Sequence, residues 1–157
     1  MLIKKIILIV LVVSSFNVFA KDNMILTTEE SRPSYVGPEK YFTGHVKVQP
    51  YFSPIKGDTS LSASSVTFDP SARSSWHTHP KGQLLIVTEG SGYIQEAGAL
   101  RKDIKKGDVI WTPAGIKHWH GASSTSSLTH TVVLEFQGDN NVEWLEKVTD
   151  SQYSKSK

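Results

Sequence analysis

Trp76-His77-Thr78-His79-Pro80-Lys81-Gly82-Gln83, running into Leu84-Leu85-Ile86-Val87-Thr88, decides how this chain is read. His77 and His79 stand two apart, so on an extended strand both imidazoles leave the same face. Gln83 opens the apolar run, where its amide oxygen can supply a further ligand. Five of the six histidines fall between positions 77 and 130. His118 comes from a separate strand and can close a site from the opposite wall. A lone histidine is by default a surface or hydrogen-bonded residue, and a His-x-His pair alone is weak. Their concentration in two punctuated segments points to one divalent metal held by His77, His79, Gln83 and His118. The chain has no cysteine, so any such ion is held by nitrogen and oxygen.

Outward from that stretch the pattern is one of short strands. His45-Val46-Lys47-Val48 alternates and Pro50 ends it; Ala63 to Phe68 is closed by Asp69-Pro70. Gln83 to Thr88 is mostly apolar and ends near Gly90, as expected of a strand buried on both sides. Tyr93–Gln95 and Arg101–Ile104 flank a turn at residues 96–99, and Lys106-Gly107-Asp108 turns into Val109-Ile110-Trp111. Pro113-Ala114-Gly115 breaks that strand before His118-Trp119-His120, and Leu128 to Phe136 is the last. Asn140 or Asn141 is read as the cap of a short helix through Val148. Many short strands without alternating helices predict an all-β sandwich or barrel.

The chain has 157 residues, with 17 basic and 15 acidic. Met1 to Lys5 carries two lysines, Ile6 to Val13 is unbroken aliphatic, and Val18-Phe19-Ala20 ends small, the order of a cleaved secretory signal. An uncleaved anchor is the other reading of that run, and a lipoprotein is excluded for want of a cysteine. Residues 1–20 are therefore expected to be removed and the protein to be periplasmic or secreted. With Lys4 and Lys5 gone, 15 basic residues face 15 acidic ones, which gives no electrostatic reason to bind nucleic acid or an anionic membrane. Residues 21–41, broken by Pro33 and Pro38, read as an extended arm, 42–150 as the single domain and 151–157 as a polar tail.

The punctuation carries a resemblance. His77, His79, Gln83 and Gly90 in one segment, then Gly107, Pro113, Gly115 and His118 in another, resemble the two cupin motifs, which implies a double-stranded β-helix, or jelly-roll barrel. Two positions depart from the common pattern. Gln83 stands where a glutamate is usual, and Ala122 where an asparagine is expected. Phe42-Thr43-Gly44, Ala63 to Pro70, Trp76 to Pro80, Lys117 to Ala122, Thr129-His130 and Val148-Thr149-Asp150 together resemble a narrower branch, the small bacterial hydroxynitrile lyases of cupin fold. That resemblance implies manganese held by three histidines and a glutamine, and cleavage of cyanohydrins to an aldehyde and hydrogen cyanide. It also implies His120 and His130 as acid/base groups, with Ser74 as a substrate-positioning or merely turn-forming hydroxyl. Leu134 stands where the branch carries a polar pocket residue, so the substrate is left open.

The residues themselves agree in part. His120 is two residues after His118 and shares its face, and His130 shares the face of Val132 and Leu134. Neutral imidazole suits removal of a hydroxyl proton. With Gln83 as ligand, three imidazoles and an amide leave the charge of the ion uncompensated and make it a stronger Lewis acid. Alternatively Gln83 hydrogen-bonds a metal-bound water. The donor set admits iron, zinc, nickel or copper as well as manganese. Trp76 and Trp119, each beside a histidine, face the opposite side and read as packing; Trp144 reads as the anchor of the terminal helix. A homodimer or higher homo-oligomer is expected, with Phe42 to Phe52 as a swapped or edge-pairing strand. Two other functions compatible with this frame are a metal-dependent dioxygenase and a non-enzymatic module that captures a metal or small metabolite.

Overall fold

The computed structural model describes residues 23–154; the expected signal at 1–20 and the last three residues of the tail lie outside them. Twelve strands run in the order β1 (Tyr35–Val36), β2 (Phe42–Thr43), β3 (Val46–Phe52), β4 (Leu61–Phe68), β5 (Arg73–Ser74), β6 (His77–Thr78), β7 (Gln83–Glu96), β8 (Lys102–Lys105), β9 (Val109–Thr112), β10 (His118–Ala122), β11 (Leu128–Glu135) and β12 (Glu143–Trp144). One helix, α1 (Asp150–Ser154), follows. The order across the curled sheet is β1-β3-β4-β11-β7-β10-β5-β2, all pairs antiparallel. The all-β expectation holds, with the helix shorter and later than the sequence suggested.

Strand β7 makes the fold close. Its first half pairs with β11 and β9 and its second half with β10 and β8, so one 14-residue strand serves both halves of the barrel. The expected end near Gly90 is instead a bend: Gly90 has φ 72°, and a Cβ there would lie 1.9 Å from the Ser127 carbonyl oxygen. Only glycine meets both conditions. The strand is also not buried on both sides. Leu85 and Val87 point into the core while Ile86 and Thr88 are exposed, the alternation of an antiparallel wall with one wet face.

The core is aliphatic with one aromatic ring: Val46, Phe68, Leu85, Val87 and Leu128 fill the barrel. A second cluster lies outside the wall, where Trp76 and Trp119 meet edge to face with centroids 6.5 Å apart, beneath Val148 and Tyr153. Both tryptophans are thus packing residues, as their alternation with the histidines requires.

Three expectations are corrected by backbone pairing. Pro50 does not end its strand: the proline, which has no N–H to give the ladder, stays paired with Ser64, and β3 runs on to Phe52 through a register shift just after it. Nor is the Phe42–Phe52 stretch one strand: β2 pairs with β5 at the end of the sheet order, while β3 pairs with β4 on one side and, at Lys47 and Val48, with β1 from the N-terminal arm on the other. Residues 140–148 form no helix. Trp76 donates its N–H to the Glu146 carbonyl and accepts from the N–H of Leu145, which draws the segment out as the extended β12. The helix starts at Thr149 instead, where Gln152 N–H donates to the Thr149 hydroxyl and Thr149 N–H donates to the Gln152 side chain, a reciprocal cap. Tyr153, in the stretch read as polar tail, is buried and donates its hydroxyl to the Ala122 carbonyl.

Candidate metal centre

Strands β6, β7 and β10 bring four of the sequence-predicted residues together. His118 on β10 pairs with His77 on β6, and Gln83 begins β7. The ligating nitrogens of His77, His79 and His118 lie within 4.8 Å of one another, and all three residues are buried. Burial pushes the three imidazoles down, His79 to about 4 and His77 well below its usual range. All are neutral near pH 7, the form that ligates metal.

Each of these rings is fixed from behind by a backbone carbonyl. His77 Nδ1 is 2.9 Å from the Ser75 oxygen, His79 Nδ1 2.5 Å from Asn141 and His118 Nδ1 2.9 Å from Ile116. A carbonyl only accepts, so each Nδ1 carries the hydrogen and each Nε2 presents a bare lone pair inward. The Gln83 amide lies between two of them: its Nε2 is 2.9 Å from His79 Nε2, and its Oε1 is 2.9 Å from His118 Nε2. The first contact is a hydrogen bond. The second sets two acceptors against each other, and flipping the amide only transfers the conflict to His79. Converging lone pairs without protons between them are what a cation relieves, so the residues fit a divalent metal.

Beside this group lies a pair of histidines. His130 Nε2 is 3.2 Å from His120 Nδ1, and both rings pack on Phe68, at centroid distances of 5.6 and 5.5 Å. Burial lowers the basicity of both, His130 to about 4. Among the described residues, His130 Nδ1 has no hydrogen-bond partner. The pair, with His77, His79 and Gln83, lines a cavity of about 350 Å³, within the size range of small-molecule sites. Val48, Val66, Val132 and Leu134 form its aliphatic wall. Ser74 does not line it. That buried hydroxyl accepts the backbone N–H of His120 at 3.2 Å and so holds β10 in place.

Sequence reasoning missed the cavity's roof. Trp144 pairs with His77 through β12 and stands 5.0 Å from its ring; it covers the site rather than anchoring the helix. Tyr41 stacks on Trp144 at 4.8 Å. Nothing local marks either residue, since their placement depends on two chain ends meeting over the barrel.

Residues 64–134 match the model of the cupin domain family. Over 123 residues, spanning 78% of this chain and 93% of the relative, the sequence is 47% identical to an (R)-mandelonitrile lyase from Granulicella tundricola. The chain belongs to the cupin family. Among solved structures, this cupin resembles a cupin-like protein from Thermotoga maritima, with TM-score 0.72 and 39% identity over 75% of this chain and 89% of that one. A polyketide cyclase from Streptomyces resistomycificus shares the fold alone, at TM-score 0.67 and 14% identity, covering 83% and 91% of the two chains. Among the described residues of the cupin, no helix is long and apolar enough to cross a membrane.

Proposed function

We propose that this cupin is an exported, metal-dependent hydroxynitrile lyase that cleaves a small cyanohydrin into an aldehyde and hydrogen cyanide. The observation that carries this reading is the buried His120–His130 pair beside three histidines that could hold a metal ion, with the Gln83 amide between two of them. The 47% identity to a mandelonitrile lyase supports it. His77, His79, His118 and Gln83 would hold the ion, which we take to be manganese. When bound, it supplies positive charge that favours the alkoxide or the cyanide.

The chain's own residues account for the proton. Cleavage takes the hydroxyl proton of the cyanohydrin to an imidazole nitrogen, breaks the carbon–cyanide bond with its electron pair leaving on cyanide, and returns a proton to that cyanide. His130 is the base and His120 delivers the proton to cyanide, across the nitrogen contact that joins them. A neutral pair accepts that proton, whereas a pair already protonated does not. Ser74 supports the arrangement by fixing the backbone of His120.

Export rests on the basic, apolar and small segments of residues 1–20, and a homodimer belongs to the same proposal. The exposed apolar residues Ile86, Val109 and Trp111 on the outer face of β7 and β9 support self-association. Sedimentation as a monomer at all concentrations would refute the dimer. Benzaldehyde release from mandelonitrile, followed with protein from Lys21 onward, tests the activity; release matched by a His77→Ala control would overturn it.

A further inference from the structure

The four candidate ligands are not held alike. Gln83 opens β7, whose first half is laddered by β9 on one side and β11 on the other. His118 lies on β10, paired to β7 along its whole length. His77 sits on β6, a strand of two residues that meets β10 at the single pair His77–His118. Its other neighbour is the C-terminal segment. Thr78 and His77 pair with Glu143 and Trp144, the Leu145 N–H donates to the Trp76 carbonyl at 2.8 Å, and the Trp76 N–H donates to the Glu146 carbonyl at 2.9 Å. His79 draws on the same segment. Its own carbonyl accepts from Gly82 and Gly115 in the turn, but the partner of its Nδ1 is the Asn141 carbonyl.

That C-terminal segment rests on the barrel from outside. It follows β11 through an exposed turn at residues 137–140, where Gln137 and Asn140 bond to each other and Gly138 has φ 62°. From Asn141 to Ser154 only Val148 and Tyr153 are buried. Its far end is fastened by Arg73, which donates to the Val148 carbonyl, and by Tyr153, whose hydroxyl donates to the Ala122 carbonyl at 2.8 Å. The Tyr153 ring also packs on Trp119, with centroids 6.0 Å apart. A stretch with two buried side chains lies at the low end of local stability, whereas the β7–β11 ladder runs through the core.

We propose that residues 141–153 form a strap that holds half of the metal centre, so that docking of the strap and binding of the ion are one linked equilibrium. With the strap lifted, Gln83 and His118 keep their places on β7 and β10, while His77 and His79 lose the contacts that aim them. The roof leaves as well, since Trp144 covers the cavity from the strap. By linkage, binding at the closed centre stabilises the docked strap as much as docking improves binding. The strap is thus the gate through which the centre is loaded. The inference rests on the metal-centre reading and not on the lyase chemistry.

Hydrogen exchange read by mass spectrometry on the protein from Lys21 onward tests this without turnover. It is run without metal and with free manganese at about a hundred times its Kd. Without metal, peptides covering residues 75–79 and 141–154 should exchange faster than those of the β7–β11 ladder. Manganese should slow both peptides together, by about tenfold or more, and leave the exposed turn at Ile55–Thr59 unchanged. Tyr153→Phe, which removes the bond to Ala122, should speed both peptides in the metal-free protein and leave the ladder as it was. Strap amides as slow as the ladder without metal, or unmoved by manganese that binds, would overturn the inference and leave the metal centre standing. Manganese that fails to bind would sink the metal centre and the inference with it.

Discussion

His130 Nε2 lies 3.2 Å from His120 Nδ1, and among the described residues neither ring is hydrogen-bonded to a carboxylate. In most histidine relays an acid orients the imidazole, but here a second imidazole and Phe68 do so. One hydrogen serves the contact, so the two tautomers are linked: the ring that donates across it leaves its partner's nitrogen as the acceptor. A proton gained at one ring is therefore felt at the other. Replacing His130 by Ala should lower mandelonitrile turnover about a hundredfold or more and leave the metal in place. Turnover assayed beside metal content checks this, and full activity in His130→Ala would refute the assignment.

Gln83 separates this centre from one with a carboxylate. Gln83→Glu should retain metal, because a charged oxygen replaces a neutral one at the same reach. Its turnover should fall about tenfold or more, since the added charge weakens the Lewis acid. Gln83→Ala should weaken metal binding instead. Metal titration and turnover of the two variants separate these outcomes.

Acid should destabilise the metal-free protein. Burial holds His130 at about 4, below its usual 6.5, so the unfolded chain binds its proton first. Stability is then fully present above about pH 6.5 and is lost as pH falls toward 4, by on the order of 3 kcal/mol for this residue. Urea midpoints measured from pH 7 to pH 4 should decline across that window, and should decline less in His130→Phe.

Arg73 binds the C-terminal segment to the barrel. Its buried guanidinium donates twice to the Val148 carbonyl, at 3.2 and 3.1 Å, and lies over the Tyr153 ring. Arg73→Ala leaves that carbonyl without its partner and should cost about 2–3 kcal/mol. Denaturant unfolding measures the loss. The ion pair with Asp150 contributes little, because the carboxylate is almost fully exposed, and Asp150→Asn should be nearly neutral.

The site was legible where chemistry and spacing coincide within a few residues. His77, His79 and Gln83 declare themselves by strand alternation, and His118 with His120 by the turn that precedes them. The carbonyls that fix these rings were not legible, because any residue supplies a carbonyl and the Asn141 oxygen arrives from 62 residues away. The same limit hid Trp144. Asn140-Asn141 has the look of a helix cap, and local propensity favours a helix there. Pairing with Trp76 overrides it, since two backbone hydrogen bonds and a ring over His77 outweigh one capped turn. The length of β7 was hidden for a different reason: Gly90 reads as a stop, whereas here it lets one strand bend between two halves of a barrel.

The most direct test is to titrate the metal-free protein, Lys21 onward, with manganese while following bound metal and benzaldehyde release from mandelonitrile together. The account predicts that release rises in proportion to bound metal and saturates at a single ion per chain, with both lost when His77 and His118 are replaced by Ala. Release independent of metal, or metal binding undiminished in that double variant, would contradict it.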